Sequence, residues 1–436
     1  MALHCGRACR QYLLHLAHDN VDFRLPVQTV NLPYTQTFVS KCLFCWIKLS
    51  GEIKALLSLR NQPFDTSETF IEKSPFWQLN GLSEDDIRSV MSRTVCGKSA
   101  FELWGHGRTT DELRRSLLEY PAENMAPYLQ QNSTYKINVY TFNKTLEFKD
   151  RIKKIDALDF LPFEGKVNLK DPEHIFCLLE DYGSDPNDIP EEPFHVYFGR
   201  WIADGQRELI RSYSVKKRHF IGNTSMDAGL SFIMANHARV KADDLVYDPF
   251  VGTGSLLVAC SHFGAYVCGT DIDYNTIHGI APYGIRESTR RTGSHKDIIK
   301  PPEDFAGESH VPVSMAYHLS DIFADLLKFA AHHLVLGGRL VYWLPIYRPE
   351  YCEEMVPLHP CLTLISNCEQ TLSSHTSRRL ITMEKTKEPE DSDKLAHLAD
   401  PRFTPYQGHN SFREKYFSGL TKKNGKDSKT TPRNED

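Results

Sequence analysis

The residues best suited to chemistry lie between Asp244 and Cys260, where a short apolar run is followed by a glycine turn and a second apolar run. The run that ends at Asp248 predicts a short buried strand, and the run after the turn predicts a helix. Gly252 and Gly254 remove side chains where a ligand must approach the backbone, and the first amides of a helix are unpaired donors. The pattern therefore predicts a ligand-binding turn between a strand and a helix.

An acidic pair follows this turn. A second predicted strand, Tyr266 to Thr270, ends at Asp271 and Asp273. An acidic side chain about 20 residues after a glycine turn can accept hydrogen bonds from ribose hydroxyls. NAD-dependent oxidoreductases share this arrangement, so the kind of nucleotide has to be inferred from the residues of the turn itself.

The turn reads Asp-Pro-Phe-Val-Gly-Thr-Gly over residues 248–254, and it lacks the third glycine of dinucleotide-binding turns. A sulfonium cofactor has no phosphate, and its positive charge is compatible with the nearby carboxylate of Asp248. We therefore predict S-adenosylmethionine (SAM) as the cofactor. A dinucleotide-dependent oxidoreductase remains as an alternative.

The elements around the turn fall into three regions. Residues 1–195 alternate short predicted strands with amphipathic helices, which predicts a mixed α+β region. Residues 196–385 follow strands with small-residue helices, as βαβ units on a parallel sheet do. Residues 386–436 are charged and polar, and their end is expected to be disordered.

Several elements can be placed individually. Strands are predicted at Tyr135–Val139, Arg339–Leu344, Leu362–Ile365 and Arg379–Glu384, and helices at Glu84–Met91, Thr110–Leu118 and Ile322–Leu334. The stretch Gly183–Pro193 is rich in Pro, Asp and Gly, and it predicts a long loop that ends the first region.

Composition restricts the class of protein. The chain of 436 residues has a net charge of −5 and no apolar run of the roughly 18 residues that a membrane span needs. We expect a cytoplasmic protein without membrane association. Three basic clusters could still face nucleic-acid phosphates: Arg151, Lys153 and Lys154; Lys216, Lys217 and Arg218; and Arg290 and Arg291.

The 11 cysteines are mostly scattered singly among apolar residues. Cys177, Cys260 and Cys268 have the pattern of reduced core thiols. A zinc site could be built from Cys5, Cys9, Cys42 and Cys45, but their spacing fits no common zinc pattern. We therefore predict no metal.

The glycine turn and its flanking segments resemble those of tRNA and DNA amino-methyltransferases. The upstream segment 217–236 is similar to the helix that precedes the cofactor turn in that group, and Pro282-Tyr283-Gly284-Ile285-Arg286 is similar to the end of its Asp-Pro-Pro-Tyr motif. Blocks 160–169, 197–205 and 407–417 extend the resemblance to the catalytic subunits of tRNA (guanine-10 N2)-methyltransferases. The resemblance covers residues 74–417.

This resemblance implies a Rossmann-like SAM methyltransferase domain preceded by a THUMP-like RNA-binding region. It implies transfer of a methyl group to the N2 amine of guanine 10 in tRNA, with a small zinc-binding activator subunit completing a heterodimer. The cofactor-binding residues would be Thr224, Ser225, Met226, Asp248, Pro249, Phe250, Gly252, Thr253, Gly254, Asp271 and Asp273. The RNA-binding residues would be Lys166, Lys216, Lys217, Arg218, Arg286, Arg290 and Arg291.

The catalytic motif is incomplete. In the family, the leading Asp carboxylate and the following Pro carbonyl accept hydrogen bonds from the target amine, and the Tyr stacks on the flipped base. Aligned on Pro282 and Tyr283, the Asp position holds Ile280 and the first Pro position holds Ala281. The base-positioning carboxylate is therefore missing.

The chain between Asp271 and Pro282 is also too short. The 11 positions separating them cannot hold two crossovers and a strand, because one parallel crossover alone needs about a dozen residues. We infer that an internal block is absent, as in an alternatively spliced product, and we expect residues 27–73 to be a second altered segment. The chain is predicted to be inactive or unstable; a non-catalytic isoform that binds tRNA or the partner is the alternative.

Overall fold

The computed structural model describes residues 10–17, 51–60, 74–218, 221–222, 225–272, 290–292, 314–316 and 319–390. Predicted site residues Thr224, Asp273, Ile280, Pro282, Tyr283 and Arg286 lie outside the described residues, as do Cys5, Cys9, Cys42 and Cys45. The chain divides into two units, residues 1–279 and 280–436.

The first unit contains a seven-stranded sheet with the order β2-β1-β3-β7-β6-β4-β5. Its strands are β1 (Gln11–Leu16), β2 (Phe76–Asn80), β3 (Gly97–Gly107), β4 (Thr134–Phe142), β5 (Lys166–Val167), β6 (His174–Asp181) and β7 (His195–Asp204). Strand β4 runs parallel to β5 and β6, and the other pairs are antiparallel. The short β5 is therefore an edge strand.

Alternation along the strands gives this sheet two apolar faces. On β6, Phe176 and Leu178 belong to one core cluster, while Leu179 belongs to another. On β7, Phe198 belongs to the first of these clusters and Tyr197 to the second. Because successive side chains of a strand point to opposite faces, both faces of the sheet are covered.

The sequence predicts two of the helices of this region. The helices are α1 (residues 51–57), α2 (Glu84–Met91), α3 (Thr110–Glu119), α4 (Ala122–Met125) and α5 (Phe148–Asp156), with 3-10 turns at Ser58–Arg60 and Ala126–Tyr128. The predictions of α2 and α3 are confirmed. A capping box of Ser83 and Asp86 begins α2, and the Thr109 hydroxyl accepts the Glu112 amide at the start of α3.

The glycine turn lies in the second half of the same unit. It follows α6 (Glu208–Ser212), a 3-10 turn at Val215–Lys217, and α7 (Ala228–His237), all of whose residues are buried. Strand β8 (Leu245–Asp248) leads into the turn, α8 (Ser255–His262) follows it, and β9 (Tyr266–Gly269) pairs parallel with β8. The predicted order of strand, turn, helix and strand is confirmed.

The prediction that β8 is buried was wrong. Leu245 is 76% exposed and Tyr266 on β9 is 67% exposed. Within the described residues β8 and β9 form a sheet of only two strands, so these side chains are not enclosed as they are in a complete parallel sheet. Cys268 of β9 is exposed for the same reason, whereas Cys177 and Cys260 are buried as predicted.

The second unit contains β10 (Arg290–Thr292) paired antiparallel with β11 (Ser314–Ala316), and a three-stranded sheet with the order β12-β14-β13. The latter comprises β12 (Arg339–Tyr347), β13 (Leu362–Thr371) and β14 (Thr376–Lys385), all antiparallel. Helix α9 (Leu319–His333) packs through Phe323 and Leu327 on this sheet, and 3-10 turns lie at Arg348–Glu350 and Glu353–Met355. The predicted helix, strand and closing hairpin are confirmed.

Candidate cofactor site

The turn between β8 and α8 is hydrogen-bonded to the residues that end β8 and follow β9. The Val251 amide donates to the Thr270 carbonyl at 2.9 Å, and the Thr270 amide donates to the Asp248 carbonyl at 2.9 Å. The Gly254 amide closes the turn on the Val251 carbonyl at 2.8 Å. These backbone bonds place the turn at the carboxyl ends of two parallel strands, where open α/β sheets bind their ligands.

The two glycines of the turn adopt conformations that other residues disfavour. Gly252 has a φ of +51° and Gly254 a φ of +76°, and a Cβ added at either position would meet no atom within 4 Å. The left-handed conformation explains the residue type. The empty surroundings mean that the protein's own described side chains do not fill the space above the turn.

Asp248 lies beside that space. Its Oδ1 accepts the Phe250 amide at 3.0 Å. Burial raises the pKa of Asp248 above its ordinary value, the Phe250 hydrogen bond opposes the shift, and the charge of Asp271 adds to it. A carboxylate of this kind favours a cationic ligand, because the positive charge compensates its poor solvation.

Asp271 closes the turn from the β9 side. Its Oδ2 accepts the Gly252 amide at 2.8 Å. A carboxylate can accept about four hydrogen bonds, so this contact is compatible with the predicted contact to ribose hydroxyls. Asp271 therefore has a role that the sequence did not indicate, since it orients the glycine turn directly.

The segment before α7 contacts the opposite side of the turn. The hydroxyls of Ser225 and Thr253 are 2.8 Å apart, and the Gly222 amide donates to Ser225 Oγ at 3.0 Å. The structure thus brings together the predicted residues Ser225, Thr253, Gly252, Gly254, Asp248 and Asp271. Met226, Pro249 and Phe250 adjoin them in the chain, and Phe250 is 60% exposed.

Arg218, one of the predicted RNA-binding residues, lies against the cofactor turn. Its Nη1 donates to Ser255 Oγ at 3.0 Å and to the Thr253 carbonyl at 3.5 Å, and burial lowers its pKa. These contacts support the start of α8. Lys216 and Lys217 are exposed, as RNA-binding residues must be.

These residues fit a SAM molecule. Two glycines leave open space above the turn, a partly buried carboxylate lies at its start, and a second carboxylate orients it at its end. The turn offers no third glycine for the close approach of a pyrophosphate. The chemistry of the site therefore favours a cofactor with a positive centre and a ribose.

Comparison with known proteins agrees with this assignment. The family model described as "Tmrp11 THUMP N-terminal domain" matches residues 49–207, and "RMKL-like, methyltransferase domain" matches residues 216–293. The chain is 57% identical to the tRNA (guanine(10)-N(2))-methyltransferase TRMT11 of Pongo abelii, with 99% of this chain and 100% of that protein covered. This chain belongs to the tRNA (guanine(10)-N(2))-methyltransferase family.

Other members of the family match over similar lengths. The Mus musculus TRMT11 protein is 57% identical, with 96% of this chain and 97% of that protein covered. The Schizosaccharomyces pombe tRNA (guanine(10)-N(2))-methyltransferase is 32% identical, with coverage of 93% and 96%. The predicted family, the SAM-dependent methyltransferase class and the THUMP-containing N-terminal region are confirmed, and the oxidoreductase alternative is not supported.

The alignment with the Pongo abelii protein also bears on the inferred missing block. It extends over 488 positions, which is 52 more than the 436 residues of this chain. At least 52 positions of this pairwise alignment therefore have no residue of this chain. This number supports an internal deletion, and it is large enough for the elements that cannot fit between Asp271 and Pro282.

The expectation that residues 27–73 lie outside the family was wrong for residues 49–73, because the THUMP model starts at residue 49. This segment includes Glu52, which is fully buried and bonded to Asn236 of α7. The sequence did contain a signal: Glu52 shares one helical face with the buried Ile53, Leu56 and Leu57. A carboxylate on such a face requires buried donors.

We expect SAM to bind this site more weakly at pH 5 than at pH 7. The raised pKa of Asp248 means that this group takes up a proton at a higher pH than an exposed aspartate does, and its neutral form no longer attracts a sulfonium. Because a bound cation favours the ionised carboxylate, binding at pH 5 should release protons. Calorimetry at pH 5 in two buffers of different ionisation enthalpy measures this release.

The Asp248→Asn variant is the control. It should bind SAM with an affinity that is nearly independent of pH and should release no protons. Proton release by the variant equal to that of the parent chain would show that another group titrates on binding.

Proposed function

We propose that this chain transfers the methyl group of SAM to the exocyclic N2 amine of guanine 10 in tRNA, as the catalytic subunit of its enzyme. The observation that carries the proposal is the agreement between two findings. Nearly the whole chain matches tRNA (guanine(10)-N(2))-methyltransferases, and the turn at residues 248–254 keeps an open, glycine-lined space with carboxylates at both ends.

The chain's own residues bind and orient the cofactor. When bound, SAM supplies an electrophilic methyl group on a positively charged sulfur. Asp248 would offer its carboxylate to that charge, and Asp271, which holds the Gly252 amide, would accept hydrogen bonds from the ribose. Ser225 and Thr253 close the side of the turn that faces α7.

The target amine must be oriented by acceptors, since its lone pair has to point at the methyl group. The family motif supplies these acceptors as an Asp carboxylate and a Pro carbonyl, and Tyr283 matches its stacking ring. Ile280 offers no acceptor at the Asp position. The proposed reaction is therefore expected to be slow because the amine is poorly oriented, whereas the sequence alone predicts an inactive or unstable chain.

We propose that α5 and the edge strand β5 contribute to the tRNA-binding surface. Helix α5 has no buried residue, and its Lys149, Arg151 and Lys153 are exposed. Lys166 on β5 is exposed as well, whereas Lys154 is partly buried and pairs with Glu180 at 2.6 Å. Both elements lie beside β4, and such exposed cations attract phosphates by a force that depends on salt.

Reversing the three exposed charges of α5 should weaken tRNA binding. For the variant Lys149→Glu, Arg151→Glu and Lys153→Glu, we expect the Kd for tRNA to rise by at least about tenfold at low salt. The slope of log Kd against log salt should fall by about one for each phosphate that the protein no longer neutralises. The matched control reverses the exposed Lys98, Lys241 and Lys387. Equal weakening in both variants would mean that only net charge matters.

We also propose a partner subunit and a cellular location, both on the basis of the family resemblance. A small zinc-binding activator subunit would bind the methyltransferase region to form a heterodimer. The reaction would take place in the cytoplasm. Within the described residues, no helix has the length and apolar character that crossing a membrane requires.

Methyl transfer tests the proposed function. Purified chain, with and without the activator subunit, is incubated with unmodified tRNA and SAM carrying a labelled methyl group, and the tRNA is digested to nucleosides. We expect N2-methylguanosine from position 10, formed slowly. Label in another base, or none in tRNA after hours with protein that binds SAM, would contradict the proposal.

A further inference from the structure

The N-terminal module, residues 49–207, is joined by a buried carboxylate to the part of the first unit that carries the glycine turn. Glu52 is fully buried and accepts four hydrogen bonds. Three come from one turn: Thr94 Oγ1 at 2.6 Å, the Val95 amide at 3.1 Å and the Cys96 amide at 3.0 Å. The fourth comes from Asn236 Nδ2 of α7 at 2.6 Å. One side chain thus binds the turn before β3 to the helix before the glycine turn.

Asn236 uses its whole amide in this arrangement. Its Nδ2 also donates to the Arg93 carbonyl at 3.1 Å, and its Oδ1 accepts from Arg93 Nη2 at 3.2 Å and Nε at 3.3 Å. Asn236 is itself fully buried. An amide with donors and acceptor all engaged has one preferred orientation, so it fixes the position of α7 closely.

Arg93 extends the contact to the second helix of the site. Its guanidinium lies 3.9 Å from the centre of the Phe263 ring, and Phe263 ends α8. Burial lowers the pKa of Arg93, against the opposing charge of Glu52. We call Glu52, Arg93, Thr94 and Asn236 the joint. It contacts the carboxyl ends of both helices that flank the glycine turn.

The opposite end of α7 borders the cofactor turn. Asp227 caps this end by accepting the Gly229 amide at 2.8 Å, and the preceding Ser225 contacts Thr253 at 2.8 Å. The helix has ten residues and therefore a length of about 15 Å. Since all ten residues are buried, displacement of the Asn236 end would be transmitted to the segment that closes the turn.

The connection between the two halves follows the same turn. The Gln206 amide donates to the Thr94 carbonyl at 2.7 Å, and a Cβ on Gly205 would lie 2.1 Å from the Gly97 carbonyl oxygen. The turn at residues 93–97 is thus contacted by α1, by α7 and by the connecting chain. Such a site is rigid rather than a hinge.

We propose that Glu52 and Asn236 are positioning residues that hold the glycine turn at a fixed place relative to the N-terminal module. This inference rests on the proposed function, because a fixed separation between the tRNA-binding module and the methyl donor would determine which nucleotide of the bound tRNA reaches the donor. The carboxylate-amide contact makes the joint specific, since an apolar contact at this place would permit sliding.

The test compares Asn236→Ala with Leu113→Ala, which removes a buried side chain of the sheet core outside the joint. Hydrogen exchange is measured on the full chain, together with the Kd values for SAM and for tRNA. For Asn236→Ala we expect faster exchange in α7 and in residues 251–255, a Kd for SAM raised about tenfold, and a Kd for tRNA within about twofold. Leu113→Ala should leave both the turn's exchange and the SAM Kd unchanged.

Equal effects of both variants, or unchanged exchange and SAM affinity in Asn236→Ala, would overturn the inference. If Asn236→Ala does not fold, Glu52→Gln gives the same test, because it keeps the shape of Glu52 while replacing one acceptor with a donor. If the parent chain binds no SAM, the proposed function fails, but the exchange of residues 251–255 still decides the role of the joint.

Discussion

Replacing Gly254 with valine is expected to raise the Kd for SAM about 100-fold or more, which corresponds to about 2.7 kcal/mol. Gly254 has a φ of +76°, and the space around its missing Cβ is open. A valine side chain would project into that space, where the cofactor must approach the backbone. Isothermal titration of the folded variant with SAM measures the weaker binding.

A matched control separates cofactor exclusion from backbone strain. Gly81 has a φ of +75°, and a Cβ there would also meet no atom within 4 Å. Each of the two valine substitutions should therefore lower the free energy of unfolding by roughly 1–2 kcal/mol through backbone strain. Gly81→Val should do so without affecting SAM binding. If SAM affinity falls equally in both variants, strain alone would explain the effect, and the turn would not be the binding site.

The second large effect concerns the rate of methyl transfer. We expect this chain to methylate unmodified tRNA at least about 100-fold more slowly than the Homo sapiens TRMT11 protein, which is 56% identical to it. The reason is the absence of an acceptor: Ile280 replaces the carboxylate that orients the target amine in the family motif. Initial rates under single-turnover conditions measure the difference.

Restoring the missing block provides the control for this prediction. In a chimera, the segment of the Homo sapiens protein that has no counterpart here is inserted after Gly279, so that the family motif is complete. We expect the chimera to recover most of the rate while its SAM affinity stays within about tenfold of the parent. A parent chain that already matches the relative would show that the carboxylate is dispensable.

Local patterns determined much of what could be predicted. The capping residues Ser83 and Thr109 mark where α2 and α3 begin, and the alternation around Phe176 indicates a strand with two apolar faces. The glycine turn and Asp271 could be identified because their chemistry depends on residue type and short spacing. These features are encoded within about 25 residues of sequence.

Contacts between distant segments could not be predicted. Glu52 and Asn236 are 184 residues apart, and neither residue alone indicates that they meet. The exposure of β8 depends on which strands flank it, and the residues of β8 alone do not indicate how many strands do so. The charge of Arg218 is clear from the sequence, whereas its hydrogen bond to Ser255 is not.

The proposed function requires that SAM binds at the turn between β8 and α8. Equilibrium dialysis of the folded chain against labelled SAM tests this directly, with NAD as competitor. We predict saturable binding of one SAM per chain, unaffected by NAD and reduced in Asp271→Ala, which removes the carboxylate that accepts the Gly252 amide at 2.8 Å. A chain that melts cooperatively yet retains no SAM at millimolar concentration, or that releases it to NAD, would contradict the account.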